Sequence, residues 1–156
     1  MFKRSSVKIG FGMAAAVLAC GAAFADNTVL EARNTLSHRQ YQVIRNAFSK
    51  LHSPEERRMA MAWSDAKKVS ETMCRPLALK YFKKQYSRAD RVFLGDENND
   101  SLKLEGNRTL SGTGQVREGS NWHYFTFECR LNPATGYATS FRANITKTES
   151  YIRQPL

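Results

Sequence analysis

The feature that most constrains this chain is a change of hydrophobic period at Ser87. Before it, apolar residues recur at steps of three and four, as on one side of an α-helix. After it they alternate, as on one side of a β-strand. Helices followed by strands, with no return to helical spacing, predict an α+β domain. The expected architecture is two to three N-terminal helices packed on one face of a four- to five-stranded antiparallel meander sheet.

In the helical half, Ser37 and Gln40 have the spacing of a capping box, with Leu36 and Tyr41 placed as a hydrophobic staple. Tyr41, Ile44, Phe48 and Leu51 then follow helical spacing. "HSPEER" ends this helix and starts another: Ser53 is the cap, Pro54 takes the first position, and Glu55 and Glu56 face the positive helix end. Met59, Ala62, Trp63, Ala66, Val69 and Met73 form one apolar stripe about four turns long. Pro76 predicts a break just after Cys74. Leu77, Ala78, Tyr81 and Phe82 make a third helical face.

In the second half, Arg91–Leu94, the Leu102/Leu104 pair and the run from Leu110 to Val116 read as strands. The strongest is "WHYFTFECRL". Phe125, Phe127, Cys129 and Leu131 take one face, and Trp122, Tyr124, Thr126, Glu128 and Arg130 the other. After the "NPATG" turn, Tyr137, Thr139, Phe141, Ala143 and Ile145 alternate again. Gly112 and Gly114 imitate a phosphate loop, but no helix and no Lys-Ser/Thr pair follows them. They are expected to permit close approach of a helix or a sheet bend.

The first 25 residues have the pattern of a secretory signal peptide. Lys3, Arg4 and Lys8 precede an apolar stretch from Ile9 to Cys20, and Ala23-Phe24-Ala25 is an A-x-A cleavage site. A loose lipobox, Val17-Leu18-Ala19-Cys20, offers a lipid-anchored alternative. Leu18 and the apolar residues after Cys20 favour soluble export to the periplasm. The expected division is signal peptide 1–25, N-terminal arm 26–36, one domain 37–146 and tail 147–156. No later apolar run is long enough to cross a membrane, so the chain is not expected to be transmembrane once the signal is removed.

Export simplifies the cysteines. Cys20 leaves with the signal or carries lipid, and Cys74 and Cys129 then allow one pairing in an oxidising compartment. Cys129 lies on the aromatic strand face, and Cys74 at the end of the stripe expected to cover it. A disulfide between them closes a long loop, which the chain-entropy relation values at about 4 kcal/mol. A catalytic thiol would need a base, and His38, His52 and His123 are scattered along the chain. A metal site would need clustered ligands. Asp96, Asn98 and Asp100 have the one-three-five spacing of a calcium loop, but Ser101 stands where that loop needs Gly and Asn107 where it needs Glu. No catalytic residue, cofactor or metal is therefore assigned.

The formal charge of +10 falls to +7 when Lys3, Arg4 and Lys8 are removed with the signal. A basic exported protein meets anionic envelope components rather than nucleic acid. Lys67, Lys68, Lys80, Lys83 and Lys84 could form one basic helical surface, against the plainer reading of a solvated face. Trp122 and Tyr124, opposite the expected core, are a second candidate binding surface.

One pattern resembles a known family. The segment "DAKKVSETMCRPLAL…ADRVFLG…LSGTGQVREGSNWHYFTFECRLNPATGYATSF" is similar to small exported bacterial proteins of domain-of-unknown-function family 930. The shared features are a helical cysteine, a D-R-V segment, a G-x-G strand, a W-x-x-F-x-F-x-C strand and a trailing S-F. The resemblance implies an exported helix-plus-sheet protein and transfers no activity.

The expected function is a non-enzymatic periplasmic protein that binds an anionic envelope component or another periplasmic protein. The alternatives are a periplasmic enzyme with a spatially assembled site, or an outer-membrane-anchored lipoprotein acting as a structural or stress factor.

Overall fold

The computed structural model describes residues 36–151. The expected signal peptide, Cys20, nearly all of the N-terminal arm and the last residues of the tail lie outside the described residues.

Helix α1 (His38–Phe48) begins at the expected capping box, with the Gln40 amide donating to Ser37 Oγ and the Ser37 amide to Gln40 Oε1. The same two side chains tie α1 to the sheet. The Ser37 hydroxyl donates to the Pro133 carbonyl at 2.7 Å, and the buried Gln40 amide group to the Asn107 carbonyl at 2.8 Å. Helix α2 (Pro54–Ala62) starts at a second capping box, Ser53 with Glu56.

The stripe from Met59 to Met73 does not form one helix. Trp63 adopts an extended conformation, and Ser64 opens a new helix, α3 (Asp65–Val69), by accepting from the Lys67 amide. The break turns α2 outward. Ala60 is its one buried residue, and Met59 and Trp63 are 61% and 40% exposed.

A π-helical turn, Ser70–Cys74, then leads directly into α4 (Arg75–Gln85). The Arg75 amide donates to the Ser70 carbonyl, five residues back. The expected break at Pro76 becomes this widened turn, which lets a residue without an N–H enter the first turn of α4. The turn also buries Ser70, Met73 and Cys74 together.

Five strands follow among the described residues: β1 (Ala89–Leu94), β2 (Leu102–Glu105), β3 (Thr109–Glu118), β4 (Asn121–Asn132) and β5 (Tyr137–Ser150). All pairings are antiparallel. The order is β1-β3-β4-β5, and β2 also pairs with β3. β1 and β2 therefore succeed each other along one edge of β3, with Leu94 opposite Gly114 and Leu102 opposite Gly112.

That arrangement explains Gly112. A Cβ there would sit 2.1 Å from the Ser101 carbonyl oxygen, so the close neighbour is the end of a short 3₁₀ turn (Asn99–Ser101) between β1 and β2, not one of the covering α-helices.

β5 alternates less regularly than its sequence suggests. Thr139 and Thr146 are each an extra residue opposite β4, so Tyr137 and Thr139 do not share the buried face of Phe141. The strand runs to Ser150, four residues past the expected domain end at 146.

The helices cover the face that carries Val92, Leu94, Leu110, Val116, Phe125, Phe127, Cys129 and Phe141. Phe82 of α4 sits at the centre, 4.6 Å from Phe125 between ring centroids. Cys74 and Cys129 are joined by a disulfide, with both residues fully buried. The fold is α+β, with the helices N-terminal to the sheet.

Candidate functional site

The five candidate lysines divide into two groups. Lys67 pairs with Glu71 at 2.7 Å and lies over the Trp63 ring at 5.8 Å. Lys68 reaches Asp65 at 3.4 Å with only 13% of its side chain exposed. Both are neutralised by carboxylates three or four residues away. Burial pushes the Glu71 carboxyl up, but hydrogen bonds from Lys67 and Arg75 outweigh it and hold the group below its ordinary range.

Lys80, Lys83 and Lys84 differ. All three are exposed on α4, and among the described residues none makes an ion pair. Beside them lies a groove of about 320 Å³ between α4 and β5, lined by Leu77, Lys80, Tyr81, Lys84, Ser140 and Phe141. Its floor is apolar and aromatic, with Tyr81 and Phe141 edge to face at 5.4 Å. The Tyr81 hydroxyl donates to the Ala143 carbonyl at 3.3 Å, which ties α4 to the edge strand. Lys80 and Lys84 are one helical turn apart, so they stand on the same side of α4 at the rim.

Trp122 and Tyr124 lie on the opposite face of the sheet, the one the helices leave open. Trp122 stacks on Phe93 at 6.0 Å, with the Arg117 guanidinium 6.0 Å from its ring. Arg117 is itself fixed by a two-pronged pair with Asp90, whose carboxyl this pair holds below its ordinary range. The Tyr124 hydroxyl donates to Glu149 at 2.9 Å, and Lys147 lies 5.8 Å from its ring. Donating to that carboxylate pushes the Tyr124 phenol up to about 12. A groove of about 300 Å³ crosses the sheet beside Tyr124, with Thr113, Gln115 and Asp96 among its walls.

These two surfaces do not form one site. Phe141 pairs with Cys129, and Trp122 is seven residues before Cys129 on β4, about 23 Å at strand spacing. Their side chains also point to opposite faces.

A third constellation was not legible in the sequence. His123 points into the helix-covered side, between Thr148 Oγ1 at 2.9 Å from Nδ1 and Glu118 Oε2 at 3.1 Å from Nε2. Its ring lies flat against Tyr86, with centroids 4.3 Å apart. Glu118 and Thr148 come from β3 and β5, and Thr148 faces His123 only because the bulge at Thr146 shifts the register. With both ring nitrogens and one ring face engaged, the imidazole joins three strand ends and carries no free valence toward a ligand.

The buried disulfide is likewise structural, since neither sulfur is open to a thiol or a metal. In the 96–101 loop, Asp96 Oδ1 accepts the Asn98 amide at 2.7 Å, and a short 3₁₀ turn (Asn99–Ser101) follows. This is an Asx turn. Among the described residues no three His, Cys, Asp or Glu side chains gather as metal ligands, and no helix is long and apolar enough to cross a membrane.

No protein-family model, curated protein or solved structure matches the chain.

Proposed function

We propose that this protein is an exported, non-catalytic binding domain of the periplasm, which holds an anionic envelope component through the lysine face of α4. The observation that carries the reading is the contrast among its lysines. Lys67 and Lys68 are compensated by carboxylates, whereas Lys80, Lys83 and Lys84 stand uncompensated on one helix of a chain with a formal charge of +10. The A-x-A pattern ending at Ala25 and the Cys74–Cys129 bridge support an oxidising, extracytoplasmic setting. The motifs that resemble family 930 point to the same setting and bring no activity with them.

The open sheet face with Trp122 and Tyr124 is the weaker surface, because each ring is already engaged by a neighbouring cation and a cross-strand partner.

The test is cosedimentation with vesicles of anionic phospholipid at low and high salt. Binding is expected at low salt and falls steeply as salt rises. Replacing Lys80, Lys83 and Lys84 together with Gln is expected to weaken it at least tenfold, while Lys67→Gln leaves it within twofold. Equal binding by the triple variant overturns the proposal.

A further inference from the structure

The groove between α4 and β5 has a composition that anion binding alone does not require. Leu77, Tyr81 and Phe141 give it an apolar floor, and Lys80 and Lys84 stand at its rim. A surface that only attracts anions would need the lysines and not the cleft. We infer that the groove seats a phosphomonoester bearing an apolar chain, with the chain along Leu77, Tyr81 and Phe141 and the phosphate between Lys80 and Lys84. This rests on the anion-binding reading of α4 and names the ligand class for it.

The charge argument favours a phosphomonoester over a carboxylate. Such a group carries about −1.5 to −2 at neutral pH and three acceptor oxygens. It can therefore match two ammonium groups, each a compact charge with three donors. The size argument favours one chain. About 320 Å³ is at the lower end of the roughly 300–1,000 Å³ of small-molecule sites. The groove also starts firm. Its floor rings are locked against Phe82 and Phe125, and Tyr81 is fixed to the β5 backbone, so little ordering is needed on binding.

The probe is dodecyl phosphate below its micelle concentration, titrated calorimetrically into the oxidised protein. Saturable one-to-one binding is expected. Dodecanoate should bind at least threefold more weakly, inorganic phosphate at least a hundredfold more weakly, and dodecyltrimethylammonium not at all. Leu77→Trp places a larger side chain in the groove and is expected to weaken dodecyl phosphate at least tenfold, while leaving anionic-vesicle binding within twofold. The double variant K80Q/K84Q is expected to weaken both. These two lysines are exposed, so it tests the site without disturbing the core even if Leu77→Trp misfolds.

Vesicle binding without saturable dodecyl phosphate binding overturns the groove proposal and leaves the lysine-face reading intact. Equal affinity for dodecyl phosphate in K80Q/K84Q also overturns it. Binding of neither vesicles nor dodecyl phosphate overturns both.

Discussion

The ring of Phe125 lies directly over Gly114. A Cβ added to Gly114 would meet Phe125 Cε2 and Cζ at 2.6 Å, and the Phe93 carbonyl oxygen at 2.7 Å. The aromatic core is thus seated on a backbone position that has no side chain. Phe125 cannot rise, because Phe82 covers it at 4.6 Å. Gly114→Ala is therefore expected to destabilise the domain by about 2–3 kcal/mol through overpacking. Urea unfolding monitored by circular dichroism measures this, and an unchanged midpoint refutes it.

The disulfide links the π-helical turn to a central strand of the sheet, across a sequence separation of 55 residues. Replacing Cys74 and Cys129 together with Ala is expected to cost about 4 kcal/mol, chiefly by freeing the unfolded chain. That is a large share of the roughly 5–15 kcal/mol of a typical domain. Denaturant titration of the oxidised protein and the double variant checks it. Coincident curves would mean that the bridge is dispensable.

Glu71 predicts an acid-sensitive step. Its folded-state pKa lies below its ordinary value of about 4.5. The contribution is therefore complete above that value and lost as pH falls through the lower folded-state value. Glu71→Gln is expected to cost about 1 kcal/mol at pH 7, where the carboxylate accepts from both Lys67 and Arg75. The gap to the unaltered protein should narrow as pH falls below about 4.5 and close only below the lower folded-state value. A gap that persists in acid would assign the loss to packing.

Tyr124 predicts an alkaline signature. Its phenol is raised to about 12 by donating to Glu149. In Glu149→Gln the neutral acceptor no longer opposes ionisation, and the phenol should move down toward 10, its usual value. A difference titration in the near ultraviolet, variant against unaltered protein, reads the shift. Superimposable titrations contradict the assigned hydrogen bond.

Much of the fold was legible because local chemistry and tertiary need agreed. Ser37 with Gln40 read as a cap, and Tyr41 beyond it as a core-facing residue; both hold in the structure. The alternation from Phe125 to Leu131 placed Cys129 toward the helices, where Cys74 meets it. The stripe from Met59 to Met73 misled because helical spacing continued through a cap. Ser64 followed by Asp65 is itself a helix start, and it outweighed the periodicity.

The bulges at Thr139 and Thr146 left no mark in composition, since threonine suits any strand position. Without them neither the exposure of Tyr137 nor the meeting of His123 with Thr148 could be foreseen. The lysines were legible as a cluster, but not their division. Whether a carboxylate compensates a lysine depends on i,i+3 and i,i+4 partners, which α3 and the π-helical turn after it supply as Asp65 and Glu71 and α4 does not.

The central claim is that this chain works outside the cytoplasm as a covalently stapled binding domain. Intact-mass spectrometry of the unreduced protein from a secreting host, after treatment with an alkylating reagent, tests it most directly. The account predicts a chain that begins at Asp26, carries no lipid and takes up no reagent. A chain that retains its first 25 residues, a lipid on Cys20, or two alkylated sulfurs at Cys74 and Cys129 would contradict it.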